Sequence, residues 1–276
     1  MAITKVTGAL LGNFAVGTNN IAIGDTALDS TNDGSPSLAI NNIAIGNAAL
    51  TANLGGANNV AVGSSALTAN TTGAGSTAVG MRALTANSTG SNNTSVGKDS
   101  LYANTTGSNN VAVGLSALQN NTTGEVNSAF GTTALFTNTT GYGNTAVGKN
   151  ALYTNNGNNN TAVGHEALEL TSTGSENTAV GREALEENTT GNYNVAVGYR
   201  AADSVTTGTY NVAVGRRALD DVTTASYSVA IGSSSLENNT AANNTAVGNN
   251  DLTANNTGAG AVVVGATDAD SGTTGN

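Results

Sequence analysis

Bulky apolar side chains are scarce in this 276-residue chain, which has no Trp, three Phe and seven Tyr. So few large groups cannot fill one broad core, although a core one or two side chains wide is within reach. Cysteine is absent, which excludes disulfides and thiol chemistry without fixing a compartment. Charged residues make up 9%, against roughly 25% in ordinary soluble proteins. With eight Lys and Arg and a net charge of −10, no basic stripe can be assembled, so nucleic acid is not expected as a partner. No segment approaches the roughly 20 apolar residues of a spanning helix, and membrane insertion is not expected. The opening residues Met1 to Leu11 hold one Lys and no long apolar stretch, a poor match to a secretion signal. Low charge with many polar residues also fits disorder; the regularity of the chain argues against that.

What the sequence has is a repeat. A short strand-like phrase ends at Gly24, Gly46, Gly63, Gly80, Gly97, Gly114, Gly131, Gly148, Gly164, Gly181, Gly198, Gly215, Gly232, Gly248 and Gly265, nearly always 17 residues apart. The coils before Gly164 and Gly248 are one residue short, and the coil between Gly24 and Gly46 is five residues long. With Gly as position zero, minus one is Val, Ile or Phe in all fifteen coils, and minus two is Ala in thirteen. Minus three is Val, Ile, Thr or Ser, and minus four is usually Asn. Plus three and plus four usually read Ala-Leu, and a corner such as Asn121-Thr122-Thr123-Gly124 follows.

Seventeen residues are too few for a helix–turn–helix unit. Phrases such as Asn110-Val111-Ala112-Val113-Gly114 read as a strand entering a turn, and Asn-Thr-Thr-Gly reads as a corner. The spacing predicts an all-β chain, a parallel β-solenoid of about 15 coils, each with two short strands and two turns. Burying one Val or Leu is worth roughly 1.5–3 kcal/mol, while ordering one backbone residue costs roughly 1–2 kcal/mol. One coil cannot stand alone, so stacking must contribute. Side-chain alternation puts minus one and minus three on one face. The expectation is that Val/Ile and the plus-four Leu point inward. The near-constant Ala row, exemplified by Ala112 and Ala146, is then either an oligomer contact or a position under a turn of its own chain.

Residues 1–19 read as a cap or attachment segment, 20–265 as the solenoid, 29–41 as an extruded loop with the sole Pro, and 266–276 as a tail. At one coil per roughly 4.8 Å, fifteen coils extend about 70 Å. Asn at minus four and plus seven is expected to form amide ladders from coil to coil.

No catalytic constellation is visible, and neither an enzyme nor a cofactor is expected. The single His, His165, stands beside Glu166 at a variable position. No calcium-loop motif occurs. Tyr193, Tyr210 and Tyr227 occupy plus twelve in successive coils and are expected to stack. Such a stack suits either carbohydrate binding or mutual support of neighbouring coils. Arg182, Arg200, Arg216 and Arg217, at plus one or plus two, are expected to form a basic edge. This Tyr/Arg region is the candidate contact for a cell-surface glycan or receptor.

The phrases Asn20-Ile21-Ala22-Ile23-Gly24 and Asn42-Ile43-Ala44-Ile45-Gly46 resemble the head repeats of trimeric autotransporter adhesins of the YadA type. That resemblance covers residues 20–265 and implies a left-handed parallel β-roll assembled as a homotrimer. The coil here is longer than in those heads by the Asn-Thr-Thr-Gly corner. The longer pattern, Asn-Thr-Ala-Val-Gly followed by Ala-Leu and Asn-Thr-Thr-Gly, is similar to repeats of marine bacteriophage tail-fibre proteins. It implies a virion fibre whose partners are copies of itself and other fibre proteins. The alternative is a bacterial surface adhesin or self-stacking extracellular filament. A third reading is an ice-binding solenoid, carried by Thr pairs such as Thr105-Thr106, Thr122-Thr123, Thr139-Thr140 and Thr189-Thr190.

Overall fold

The structure, a computed structural model, describes residues 19–29, 39–253 and 258–265. Nearly all of the expected N-terminal cap, residues 30–38 of the expected loop and the tail from 266 onward lie outside these. The chain is a parallel β-solenoid with one three-residue strand per coil. Its coils fall into two compact units, Met1–Thr140 and Gly141–Asn276. In the first unit β1 (Ile21–Ile23), β2 (Ile43–Ile45), β3 (Val60–Val62), β4 (Thr77–Val79), β5 (Thr94–Val96), β6 (Val111–Val113) and β7 (Ser128–Phe130) stack in sequence order. In the second, the order is β8 (Thr145–Val147), β9 (Thr161–Val163), β10 (Thr178–Val180), β11 (Val195–Val197), β12 (Val212–Val214), β13 (Val229–Ile231), β14 (Thr245–Val247) and β15 (Val262–Val264). Equivalent residues pair: Ala61 with Ala78 in the first unit, Ala196 with Ala213 in the second. The 17-residue period therefore becomes translation by one rung.

Each strand stops at its glycine for a steric reason. At Gly114 the backbone has φ +139°, and an added Cβ would lie 2.5 Å from the carbonyl oxygen of Gly131 in the next coil. No other residue fits such a rung-to-rung approach. Beyond it, the expected second strand is a run of tight turns. Ser116 and Leu118 both take left-handed φ, +54° and +52°, and equivalent residues repeat this along the stack. A leucine there carries a cost of roughly 1–2 kcal/mol. Burial of its side chain offsets that, and so do bonds between coils, such as Leu118 N–H to the Ala134 carbonyl at 2.9 Å.

The two faces of the strand are the reverse of the sequence expectation. Ala112 and Ala146 are fully buried within their own chain, as are most minus-two alanines, so the Ala row is not an oligomer contact. A three-residue strand points one side chain inward, and the inward one is minus two. The interior is thin, filled by Ala at minus two, Ala at plus three and Leu at plus four. Two β-branched side chains per rung have no room in it, and Val and Ile face out. In one coil both inner alanines change: Ser95 and Ser100 replace them, their hydroxyls bond each other, and Ser95 also donates to the Ser100 carbonyl at 2.9 Å. Elsewhere Ser235 and Asp251 replace the plus-three Ala opposite an unchanged Ala230 and Ala246.

Two buried asparagine rows hold the corner. At plus seven, Asn70 donates to Asn53 Oδ1 at 2.9 Å, Asn87 to Asn70 at 2.9 Å, Asn104 to Asn87 at 2.8 Å and Asn121 to Asn104 at 2.7 Å. At minus four, Asn59 N–H donates to Asn42 Oδ1 at 2.8 Å. The rows converge on the corner glycine: the Gly73 carbonyl accepts from Asn59 Nδ2 at 2.8 Å and Asn70 Nδ2 at 3.0 Å. The plus-seven row is interrupted by Thr171, Val205 and Val222. Asn188, between Thr171 and Val205, is fully buried and neither amide atom has a hydrogen-bond partner.

Two contrasts test this account. Leu118 is buried and Leu115 is 48% exposed; Leu118→Ala is expected to cost about 2–5 kcal/mol and Leu115→Ala less than about 0.5 kcal/mol in denaturant unfolding. Asn104→Val breaks a ladder and is expected to destabilise by about 1–3 kcal/mol. The same change at Asn188 removes an unsatisfied amide and is expected to stabilise by about 1 kcal/mol.

Candidate functional site

Short strands ending at a forced turn leave two outward side chains per rung. The minus-one residues of the second unit are exposed to a near-constant extent, from 36% at Val214 to 40% at Ile231 over β8 to β13. The neighbouring minus-three residues are half-buried or exposed: Thr145, Thr161 and Thr178, then Val195, Val212 and Val229. In the first unit the same rows run from Ile21 and Ile23 to Ser128 and Phe130. No strand carries a charged residue at either position. Each unit thus presents an uncharged sheet face, β-branched at every outward strand position except Ser128 and Phe130. The sequence held a signal for this orientation. Minus three is Thr or Ser in seven of fifteen coils, a tolerance for hydroxyls that suits an outer face.

The tyrosine expectation holds geometrically. Tyr193 and Tyr210 stack with centroids 4.7 Å apart and planes 10° apart, and Tyr210 and Tyr227 stack at 5.2 Å and 6°. Stacking turns ring faces toward each other, so edges and hydroxyls are what the row offers along its length. Sugar rings pack on aromatic faces, which leaves only the outer faces of Tyr193 and Tyr227 for that purpose. Glu176 lies near Tyr193 and raises its phenol above the ordinary value, through charge first.

The expected basic edge is instead an ionic ladder. Arg200 pairs with Asp203 in its own coil, Asp220 Oδ1 at 3.7 Å in the next and Glu183 at 3.9 Å in the one before. Arg217 pairs with Asp220 and, at 2.7 Å, with Glu237. Arg182 pairs with Glu183 and lies over the Tyr199 ring at 5.8 Å. Arg216 follows Gly215 directly. The tyrosine stack and this ladder flank the strand on opposite sides along the chain: Tyr193 stands two residues before β11 and Arg200 three after it. Burial raises the Asp203 and Asp220 carboxyls above the usual range even though arginines oppose the shift. Asp99 raises Arg82 in the first unit by a hydrogen-bonded pair at 2.7 Å, and Tyr102 lies beside the same guanidinium.

Two coils of the ladder have Glu where Arg stands later. Glu166, Glu169 and Glu186 bring carboxylate oxygens within 4.8 Å of one another. His165 Nδ1 lies 2.9 Å from Glu166, close enough for an ion pair although not aligned as a hydrogen bond. Asn150 donates to Glu169 at 3.2 Å. A similar trio, Asp220, Asp221 and Glu237, has Arg217 paired to two of its members. Burial, then Asp203 and the neighbouring glutamates, push Glu186 up to about 7.

No family model matches this sequence, and no curated protein or solved structure is significantly similar to it.

Glu186 makes stability pH-dependent with a definite sign. Its folded value of about 7 lies above its ordinary 4.5, so the fold favours the protonated form. Its contribution is complete below about 4.5 and lost as pH rises through about 7. Glu186→Gln is expected to raise the unfolding midpoint at pH 8 and leave it nearly unchanged at pH 4.5, measured by denaturant titration.

Proposed function

We propose that the chain is a non-enzymatic structural fibre element that self-assembles along its outer sheet faces and spaces or presents a receptor-binding part. The observation that supports this is the uncharged outer face, Val, Ile or Thr at both outward positions of every strand except β7. A surface this regular suits a partner of the same rise, and another copy of the chain is such a partner. The homotrimer implied by the resemblance to YadA-type heads uses three such faces around one axis. The tail-fibre resemblance favours a virion fibre, and that is the preferred reading. The adhesin resemblance favours a bacterial surface, and neighbouring genes for capsid and baseplate or for secretion separate the two. A cell-surface glycan contact, if built at the Tyr193–Tyr227 row, uses hydroxyls and ring edges more than ring faces.

Ice binding through paired corner threonines is disfavoured because the first hydroxyl of the pair is used within the chain. Thr105 Oγ1 donates to the Thr122 carbonyl and Thr122 Oγ1 to that of Thr139, both at 3.0 Å, so the two threonines of a pair do not act together.

Sedimentation equilibrium of the purified chain is expected to give a discrete oligomer. A monomer across the micromolar range defeats the self-assembly reading.

A further inference from the structure

Within the outer rows, β7 departs from the pattern twice. Phe130 is the sole aromatic residue at minus one among the fifteen strands, and Ser128 is the sole serine at minus three. They share a strand, with Ala129 buried between them and Phe130 42% exposed. The largest side chain of one row thus accompanies the smallest of the other. A face open to water places no constraint on the summed volume of neighbouring side chains. A face packed against a second surface at fixed distance does, because both voids and overpacking are penalised. The interior holds one such paired change, Ser95 with Ser100, where the two hydroxyls bond each other.

The chemistry of the face selects the partner. It carries no charge on a chain of net charge −10, so two copies can meet there without opposing their carboxylates. In a cyclic assembly whose axis follows the stack, equivalent rungs stay level, and minus one of one copy can face minus three of the next.

We infer that β7 is a register lock between parallel copies of this chain: Phe130 of each copy fills the space left by Ser128 of its neighbour at the same rung. A slip of one rung brings Phe130 against Val111 of β6 instead, where that space is already filled. The lock rests on the self-assembly reading above and assigns it a specific alignment.

The test uses four full-length chains: the native one, Phe130→Val, Ser128→Val and the double variant, which recreates the Val-Ala-Val phrase of β6. All substituted side chains point outward, so each chain is expected to keep its circular dichroism. In sedimentation equilibrium each single variant is expected to associate about tenfold more weakly, or worse, and the double variant to recover most of the loss. Additive losses in the double variant overturn the lock while leaving self-assembly intact. Coupling seen in unfolding but not in association overturns it too, because Phe130 then covers Ser128 of its own chain. A native chain that stays monomeric defeats the underlying assembly reading instead.

Discussion

In each unit, rows of buried asparagine bond from coil to coil, to copies of themselves. The amide of Asn70 bonds that of Asn53, Asn87 bonds Asn70 and Asn104 bonds Asn87. Backbone bonds in the turns follow the same rule, as from Ala86 to the Tyr102 carbonyl at 3.0 Å. A buried amide without a partner costs about 1–3 kcal/mol. The corner is therefore stable only where the next coil repeats it. The glycine row serves the same end, since Gly80 and Gly97 approach too closely for any Cβ between them. A single coil has almost none of its partners, which is why stability in such a stack resides in the interfaces between coils.

This constraint accounts for features that look costly when one coil is considered alone. Leucine in the left-handed region is unusual, yet Leu50, Leu67, Leu84 and Leu101 all adopt it with φ between 48° and 55°. The turn aims each leucine into the interior, where it is fully buried, and leaves its N–H for the coil above. Departures from the repeat also tend to come in related sets. Val205 and Val222 replace Asn in successive coils, and Tyr193, Tyr210 and Tyr227 are three in a row. Asn188 shows the cost when a row ends without a substitute partner.

The period, the glycine row, the asparagine ladders and the tyrosine stack were legible in the sequence because all follow from translation by 17 residues. Translation says nothing about which face turns inward, and there the usual preference for burying the larger aliphatic side chain pointed the wrong way. With three residues per strand, one must be inside, and a thin interior selects Ala112 over Val111 and Val113. The second expected strand failed for a local reason. Ala-Leu reads as extended chain, but the left-handed backbone at plus two and plus four belongs to turns that no propensity for leucine suggests. The arginines misled through their partners. Arg200 and Arg217 look like a basic edge until Asp203 and Asp220, three residues on in their own coils, and Glu237, one coil away from Arg217, are placed against them.

The distribution of charge bears on how such a surface could choose its contacts. In the second unit the ionic ladder lies beyond the glycines, at plus two and plus five, while β11, between Tyr193 and Arg200, carries only Val and Ala. An apolar face bordered by polar and ionic rows has the layout of an association surface with a solvated rim. The rim is mostly acidic around Glu166, Glu169 and Glu186, so copies meeting edge to edge oppose like charges, whereas copies meeting face to face do not. On the proposed reading, the excess of carboxylates serves as discrimination: it leaves the uncharged face as the least repulsive route to contact. A repetitive surface has many nearly equivalent registers, however, and charge that repeats from coil to coil cannot choose among them. That choice requires a rung unlike the others, and on the outer face of the first unit the rung that differs most is β7.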